Sequence, residues 1–163
     1  MLTRRAFHIV GLGFASLAAT RSAQAGESQE FEIMKSDEDW KKLLTRAQYN
    51  VLRQHGTEPP GSSPLDKFYK PGTYNCAACD LPLYSSDAKF DSGTGWPSFF
   101  QPIDNAIGTS TDWNLIYSRT EVHCRRCGGH LGHVFDDGPP PTGKRYCMNG
   151  IAMKFVPKEK EGA

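Results

Sequence analysis

Residues 144–156, KRYCMNGIAMKFV, decide the fold class of this 163-residue chain. Side chains alternate across a strand, so Arg145, Cys147 and Asn149 are expected on one face and Tyr146 and Met148 on the other. Three stretches upstream read the same way: FDSGTGWPSFF (90–100), WNLIYSRTEVHC (113–124) and HLGHVFDD (130–137). No helical period survives in them, and turn residues recur at close spacing, which predicts short strands in a mostly antiparallel β domain. The 16 glycines and 11 prolines of the chain suit that many turns.

Ahead of the strands the pattern is helical. Ser36 opens SDEDWKKLL (36–44), a capping serine followed by acids in the first turn and lysines afterwards, matching the polarity of a helix dipole. A second helix follows at once, because Thr45 and Gln48 have capping-box spacing and Gly56 stands where a C-terminal cap is expected. Trp40, Leu43, Leu44, Val51 and Leu52 form the expected buried stripes. Residues 57–71 carry four prolines and read as an irregular connector.

Residues 1–25 read as a targeting segment: Arg4 and Arg5, an acid-free apolar run from Ala6 to Ala19, then Ala23 and Ala25 before Gly26. The run is too short and glycine-rich for a comfortable span of roughly 20 residues, although a retained membrane anchor is the competing reading. The arginine pair resembles the twin-arginine signal, whose route carries folded, cofactor-loaded proteins. A periplasmic or otherwise exported protein, touching the membrane only in transit, is the expectation. Residues 26–35 then form an N-terminal tail, 36–157 one domain with its own core, and 158–163 a C-terminal tail. The segment takes three of the 19 basic residues and none of the 18 acidic ones, so the remainder is slightly acidic and no nucleic-acid partner is expected.

Four of the five cysteines fall into two Cys-x-x-Cys pairs, Cys76 with Cys79 and Cys124 with Cys127. Such a turn aims two thiolates at one ion, and two turns complete the tetrahedron of a structural zinc site. Vicinal disulfides or redox dithiols are the alternative in an oxidising compartment. Loop-forming residues follow each pair, where a thiol-lowering helix would be expected for redox chemistry, and export after folding would shield the thiols.

Cys147 is left over. It is either a small buried hydrophobe or a reactive thiol, with Arg145 placed to favour the thiolate. His130 and His133 follow directly after a metal-binding turn, which would hold their backbone rigidly as a proton donor requires. Trp96 lies in a Gly/Pro-flanked loop and either presents its face outward or packs in the core.

Together CAACDLPLYSSDAKFDSGTGWPSFF, HCRRCGGHLGHVFDDGPPPTGKRYC and MNGIAMKF resemble the methionine-R-sulfoxide reductases, the type B enzymes, from about Ser36 to Phe155. The resemblance implies two antiparallel β-sheets with short N-terminal helices, pinned by a structural zinc on Cys76, Cys79, Cys124 and Cys127. It makes Cys147 the nucleophile and puts His130, His133, Trp96 and Asn149 in the substrate pocket; Phe135 and Arg145 are expected beside the substrate. Thiolate attack on the sulfoxide sulfur would leave a sulfenic acid on Cys147, with His133, His130 near it, supplying or positioning the proton. Oxidised proteins or free methionine sulfoxide are the implied substrates. Many members carry a resolving cysteine where this chain has Thr94, so recycling falls to an external thiol, thioredoxin-like or small. Two other classes compete: a zinc-stabilised binding module presenting Trp96, Phe99 and Phe100, and a Cys-x-x-Cys thiol-disulfide oxidoreductase.

Overall fold

The computed structural model describes residues 30–113 and 118–159. The targeting segment, the start of the N-terminal tail and residues 160–163 lie outside the described residues.

Helix α1 (Asp37–Leu43) begins where Ser36 accepts a hydrogen bond from the Asp39 N–H at 3.2 Å. Helix α2 (Arg46–Gln54) starts with the complete capping box of Thr45 and Gln48. Its end differs from expectation: the left-handed residue is His55, at φ 54°, and not Gly56. A non-glycine residue holds that conformation because its ring is tied down, Nδ1 lying 2.9 Å from Glu121 Oε1 and the imidazole 5.1 Å from that of His130. Leu43 is also not buried; α1 stops there, and extended Leu44 turns inward in its place. Trp40, Val51 and Leu52 are buried as expected.

Among the described residues nine strands follow: β1 (Gly72–Cys76), β2 (Pro82–Ser85), β3 (Lys89–Phe90), β4 (Ser98–Phe99), β5 (Ile107–Asp112), β6 (Arg119–Cys124), β7 (His130–Phe135), β8 (Arg145–Met148) and β9 (Met153–Pro157). They form two sheets with every pairing antiparallel, one of three strands in the order β2-β1-β9 and one of six in the order β3-β4-β8-β7-β6-β5. The chain is thus mainly β, with the two sheets and short helices its sequence implied.

The sheets share an aromatic core. Tyr74 and Tyr84 of the small sheet meet Phe99 of the large one, at centroid distances of 5.0 and 4.3 Å. The Tyr84 hydroxyl donates to Met148 Sδ at 3.2 Å, and all four side chains are fully buried. Each such burial contributes roughly 1.5–3 kcal/mol, so the strand carrying Cys147 rests on a well-buried aromatic core. Helix α2 fastens to the opposite end: Leu52 lies against Gly129, where a Cβ would come within 2.9 Å of Leu52 Cδ2, and the Arg53 guanidinium donates to the Cys127 carbonyl at 3.0 Å. No helix among the described residues is long and apolar enough to cross a membrane.

Candidate active site

The two Cys-x-x-Cys turns have the same backbone. Cys76 N–H donates to Leu81 O at 2.8 Å and Cys124 N–H to Gly129 O at 2.9 Å. Asp80 and Gly128, one residue after each second cysteine, are left-handed and return their N–H groups to Cys76 O and Cys124 O. Gly128 is required by close approach as well, since a Cβ there would lie 2.4 Å from the Phe31 ring.

This repeated geometry gathers the four sulfurs within 4.8 Å of one another. Cys76 Sγ lies 3.8 Å from Cys127 Sγ, and Cys79 Sγ 3.5 Å from Cys124 Sγ. A disulfide needs about 2.05 Å, whereas a tetrahedron with metal–sulfur bonds of about 2.3 Å has edges of about 3.8 Å. Both of these contacts run between the two turns, which suits an ion shared by all four sulfurs. The four cysteines are close enough to bind a metal, and an ion there would join β1 of the small sheet to β6 and β7 of the large one.

Cys147 is free, half-buried and remote in sequence from these turns. Strand register sets its surroundings. Cys147 is paired with Ser98 on one side and His133 on the other; His133 is paired with Glu121, and Glu121 with Ser110. Directly opposed side chains share a face at a Cβ spacing of about 4.5–5.5 Å, so one polar row crosses five strands, Ser98–Cys147–His133–Glu121–Ser110. The neighbouring row, Phe99 and Tyr146, faces the aromatic core.

A cavity of about 120 Å³ opens over the row, lined by Thr57, Trp96, Arg119, Gly132, His133, Phe135, Cys147 and Asn149. Its volume suits one side-chain tip. A larger groove of about 590 Å³ between α2 and the connector has neither cysteine nor histidine in its lining, whereas the smaller cavity has both.

His133 Nε2 and Arg119 Nη2 each lie 2.7 Å from Asp112 Oδ2. Burial pushes the His133 pKa down; the Asp112 contact works the other way, and Arg119 reinforces the lowering. The balance of these effects favours the neutral imidazole. Asn149 caps the turn after β8, its amide donating to Leu131 O at 3.1 Å while its Oδ1 accepts from Glu58 N–H at 2.9 Å. The Trp96 indole N–H donates to Glu58 O at 3.1 Å.

Two expected pocket residues stand elsewhere. His130 is 2 % exposed and absent from the lining; its Nδ1 lies 2.7 Å from Glu121 Oε1. Three residues apart on a regular strand, His130 and His133 would face opposite ways. A bulge at Leu131, where Val122 pairs with Gly132 but His123 with His130, rephases β7 and brings the rings to 5.3 Å. His130 thus backs His133 without reaching the cavity. Arg145 is also outside the lining, forked onto Asp137 by two bonds of 2.8 Å and stacked 4.4 Å over Phe135. Phe135 does line the cavity, and Arg145, though outside the lining, stands close enough to Cys147 for the two side chains to interact. The exposed recognition patch of the binding-module reading is missing: Phe99 is fully buried and Trp96 and Phe100 are half-buried.

Sequence reasoning missed Thr57, Glu58, Asp112, Arg119 and Glu121. Glu58 has the densest set of contacts, its carboxylate also accepting from Gly150 N–H and, at 2.9 Å, from Ile151 N–H. It stands in the connector, where no period or spacing points to a partner more than 90 residues away.

Comparison with known proteins agrees with this geometry. Residues 44–157 match the SelR domain family. The peptide methionine sulfoxide reductase MsrB of Agrobacterium fabrum is 54% identical over 127 residues, covering 77% of this chain and 94% of that protein. The enzyme of the same name from Leptospira interrogans is 55% identical over 126 residues, covering 77% and 96%. That of Methanosarcina barkeri is 53% identical over 129 residues, covering 78% and 91%.

Proposed function

Because the chain belongs to the type B methionine-R-sulfoxide reductases, the SelR family, and is an oxidoreductase of that kind, we propose that Cys147 is the thiolate that takes the substrate's oxygen. The observation that carries this is the register pairing of Cys147 with His133 beneath the small cavity, while the other four cysteines gather around one another.

In the proposed cycle a neutral His133 accepts the Cys147 thiol proton as the sulfur attacks, and returns it to the sulfoxide oxygen as the S–O bond of the substrate breaks. The balance is one thiol and one sulfoxide giving one sulfenic acid and one thioether. Asp112 orients the imidazole from its Nε2 side, and Asn149 and Trp96, both hung from Glu58, shape the cavity around the substrate's methyl group. Two external thiols, thioredoxin-like or small, then reduce the sulfenic acid to thiol and water while forming their own disulfide. Oxidised envelope proteins and free methionine sulfoxide are the proposed substrates.

The four-cysteine site is proposed to hold one structural zinc ion, supported by sulfur contacts of 3.5 and 3.8 Å that suit a tetrahedral four-thiolate shell. Export is proposed from Arg4, Arg5 and the small residues at Ala23 and Ala25.

The test is Cys147→Ser in the metal-loaded protein. Reduction of the R epimer is expected to vanish while metal content and melting temperature stay at wild-type values. Residual turnover above one part in a thousand would remove Cys147 from the role; cell fractionation checks export.

A further inference from the structure

Thr94 lies beside the nucleophile, its Oγ1 3.7 Å from Cys147 Sγ. It is the end of a hydroxyl chain. Ser92 Oγ lies 2.8 Å from Thr94 Oγ1 and 2.7 Å from Ser98 Oγ, and Ser98 Oγ lies 3.1 Å from the Trp96 carbonyl. Ser98 is fully buried, so its single proton has only the Trp96 carbonyl and Ser92 to go to.

A carbonyl oxygen accepts and never donates, which gives the chain two complete directions. With Cys147 as a thiol, protons point from sulfur to Thr94, Ser92, Ser98 and finally the Trp96 oxygen. With the sulfur as an anion, all three hydroxyls turn round, and Ser98 donates to Ser92, Ser92 to Thr94 and Thr94 to sulfur. The Thr94 N–H, 3.4 Å from Ser92 Oγ, fits both arrangements because it uses a lone pair the hydroxyls leave free. Reversal gives up two neutral hydrogen bonds, the weak one from the thiol and the one at Trp96, and forms one to a charged sulfur, and charge-assisted bonds are about twice as strong.

We propose that Thr94 is a catalytic residue of this chain: its hydroxyl, backed by Ser92 and Ser98, accepts from the resting Cys147 thiol, and when the S–H swings over and passes its proton to His133 it reverses to donate to the attacking anion. The inference rests on Cys147 being the nucleophile. It gives the position a role in the attack itself, separate from regeneration of the thiol.

The experiment measures two rates on the metal-loaded protein: alkylation of Cys147 by iodoacetamide at pH 7, located by peptide mass, and steady-state reduction of the R epimer. Thr94→Val removes the hydroxyl at nearly constant volume, and Thr94→Ser keeps it. In Thr94→Val both alkylation and kcat are expected to fall about tenfold with KM within twofold, Thr94→Ser to restore both, and Ser92→Ala to fall between. Wild-type alkylation in a folded Thr94→Val protein would overturn the proposal, and so would a Thr94→Ser protein as slow as the valine variant. If Thr94→Val does not fold, Ser92→Ala decides, wild-type rates in it being the refuting result. Alkylation needs no sulfoxide chemistry, so this failure is distinct from that of the nucleophile assignment, which shows instead as activity surviving Cys147→Ser.

Discussion

Replacing Glu58 by alanine removes a carboxylate that sits between the connector and the turn after β8. Two backbone donors, Gly150 N–H and Ile151 N–H, lose their acceptor. A buried donor left unsatisfied costs about 1–3 kcal/mol; Gly150 is buried and Ile151 half-buried, so the second donor falls toward the low end. Burial pushes the Glu58 pKa up, the two backbone bonds only partly offsetting it, so removing the charge returns some of that desolvation cost. The net loss expected is about 2–3 kcal/mol. Activity should fall further than stability implies, because Asn149 and Trp96 both hang on the Glu58 main chain and small displacements of positioning groups cost up to about 100-fold. Urea unfolding gives the first quantity and kcat with the R epimer the second. Glu58→Gln, which keeps one acceptor, should lie midway in both. A Glu58→Ala protein that loses under about 0.5 kcal/mol and keeps kcat within twofold would refute the reasoning.

A Cβ on Gly132 would stand 2.2 Å from the Cys147 carbonyl oxygen, so Gly132→Ala must push β7 from β8; a loss of about 2–4 kcal/mol and of most activity is expected in urea unfolding and steady-state assays. Burial tends to raise the Glu121 pKa, but hydrogen bonds from His130 and Ser110 and the charges of His130 and His55 outweigh it, bringing it from 4.5 down to about 2. Its folded value is thus depressed, so its stabilisation, at most about 3 kcal/mol, is present above pH 4.5 and lost as pH falls toward 2. Glu121→Gln should flatten that part of the acid-denaturation profile relative to wild type; an unchanged slope counts against the pairing.

The legible features were those set by local spacing. Both helix starts follow from residues within three positions of each other, and the cysteine turns from a two-residue gap, so a short window contains their whole cause. Alternation likewise placed Cys147 and Asn149 on the cavity side and Tyr146 and Met148 toward the core. What failed depended on pairings across strands. The bulge at Leu131 is invisible in HLGHVFDD, because it arises from how β7 meets β6, and so the packing of His130 behind His133, against Glu121, cannot be read from that stretch. Alternation puts Arg145 on the Cys147 face too, and the two side chains do interact, but the fork onto Asp137 across the β7–β8 turn, which no window shows, holds it out of the cavity lining. Glu121, Asp112 and Arg119 depend on the register of β5 and β6, which no window in either strand specifies.

The same nonlocality ties the four-cysteine cluster to the cavity proposed to accept the substrate's oxygen. Strand β8 is only four residues long and offers little rigidity of its own. Its two flanks are fixed from the cysteine turns. From the first turn, Ala77 N–H donates to Ala152 O at 2.9 Å and Cys76 pairs with Met153, which anchors the turn that begins at Asn149. From the second, Gly129 leads directly into His130 and β7, whose His133 faces Cys147. Drawing the four sulfurs together therefore braces both the strand that carries Cys147 and the strand that carries His133. A disulfide could join two of these segments but not all of them, whereas the proposed four-coordinate ion would hold both turns at once and leave the fifth thiol free for the proposed reaction.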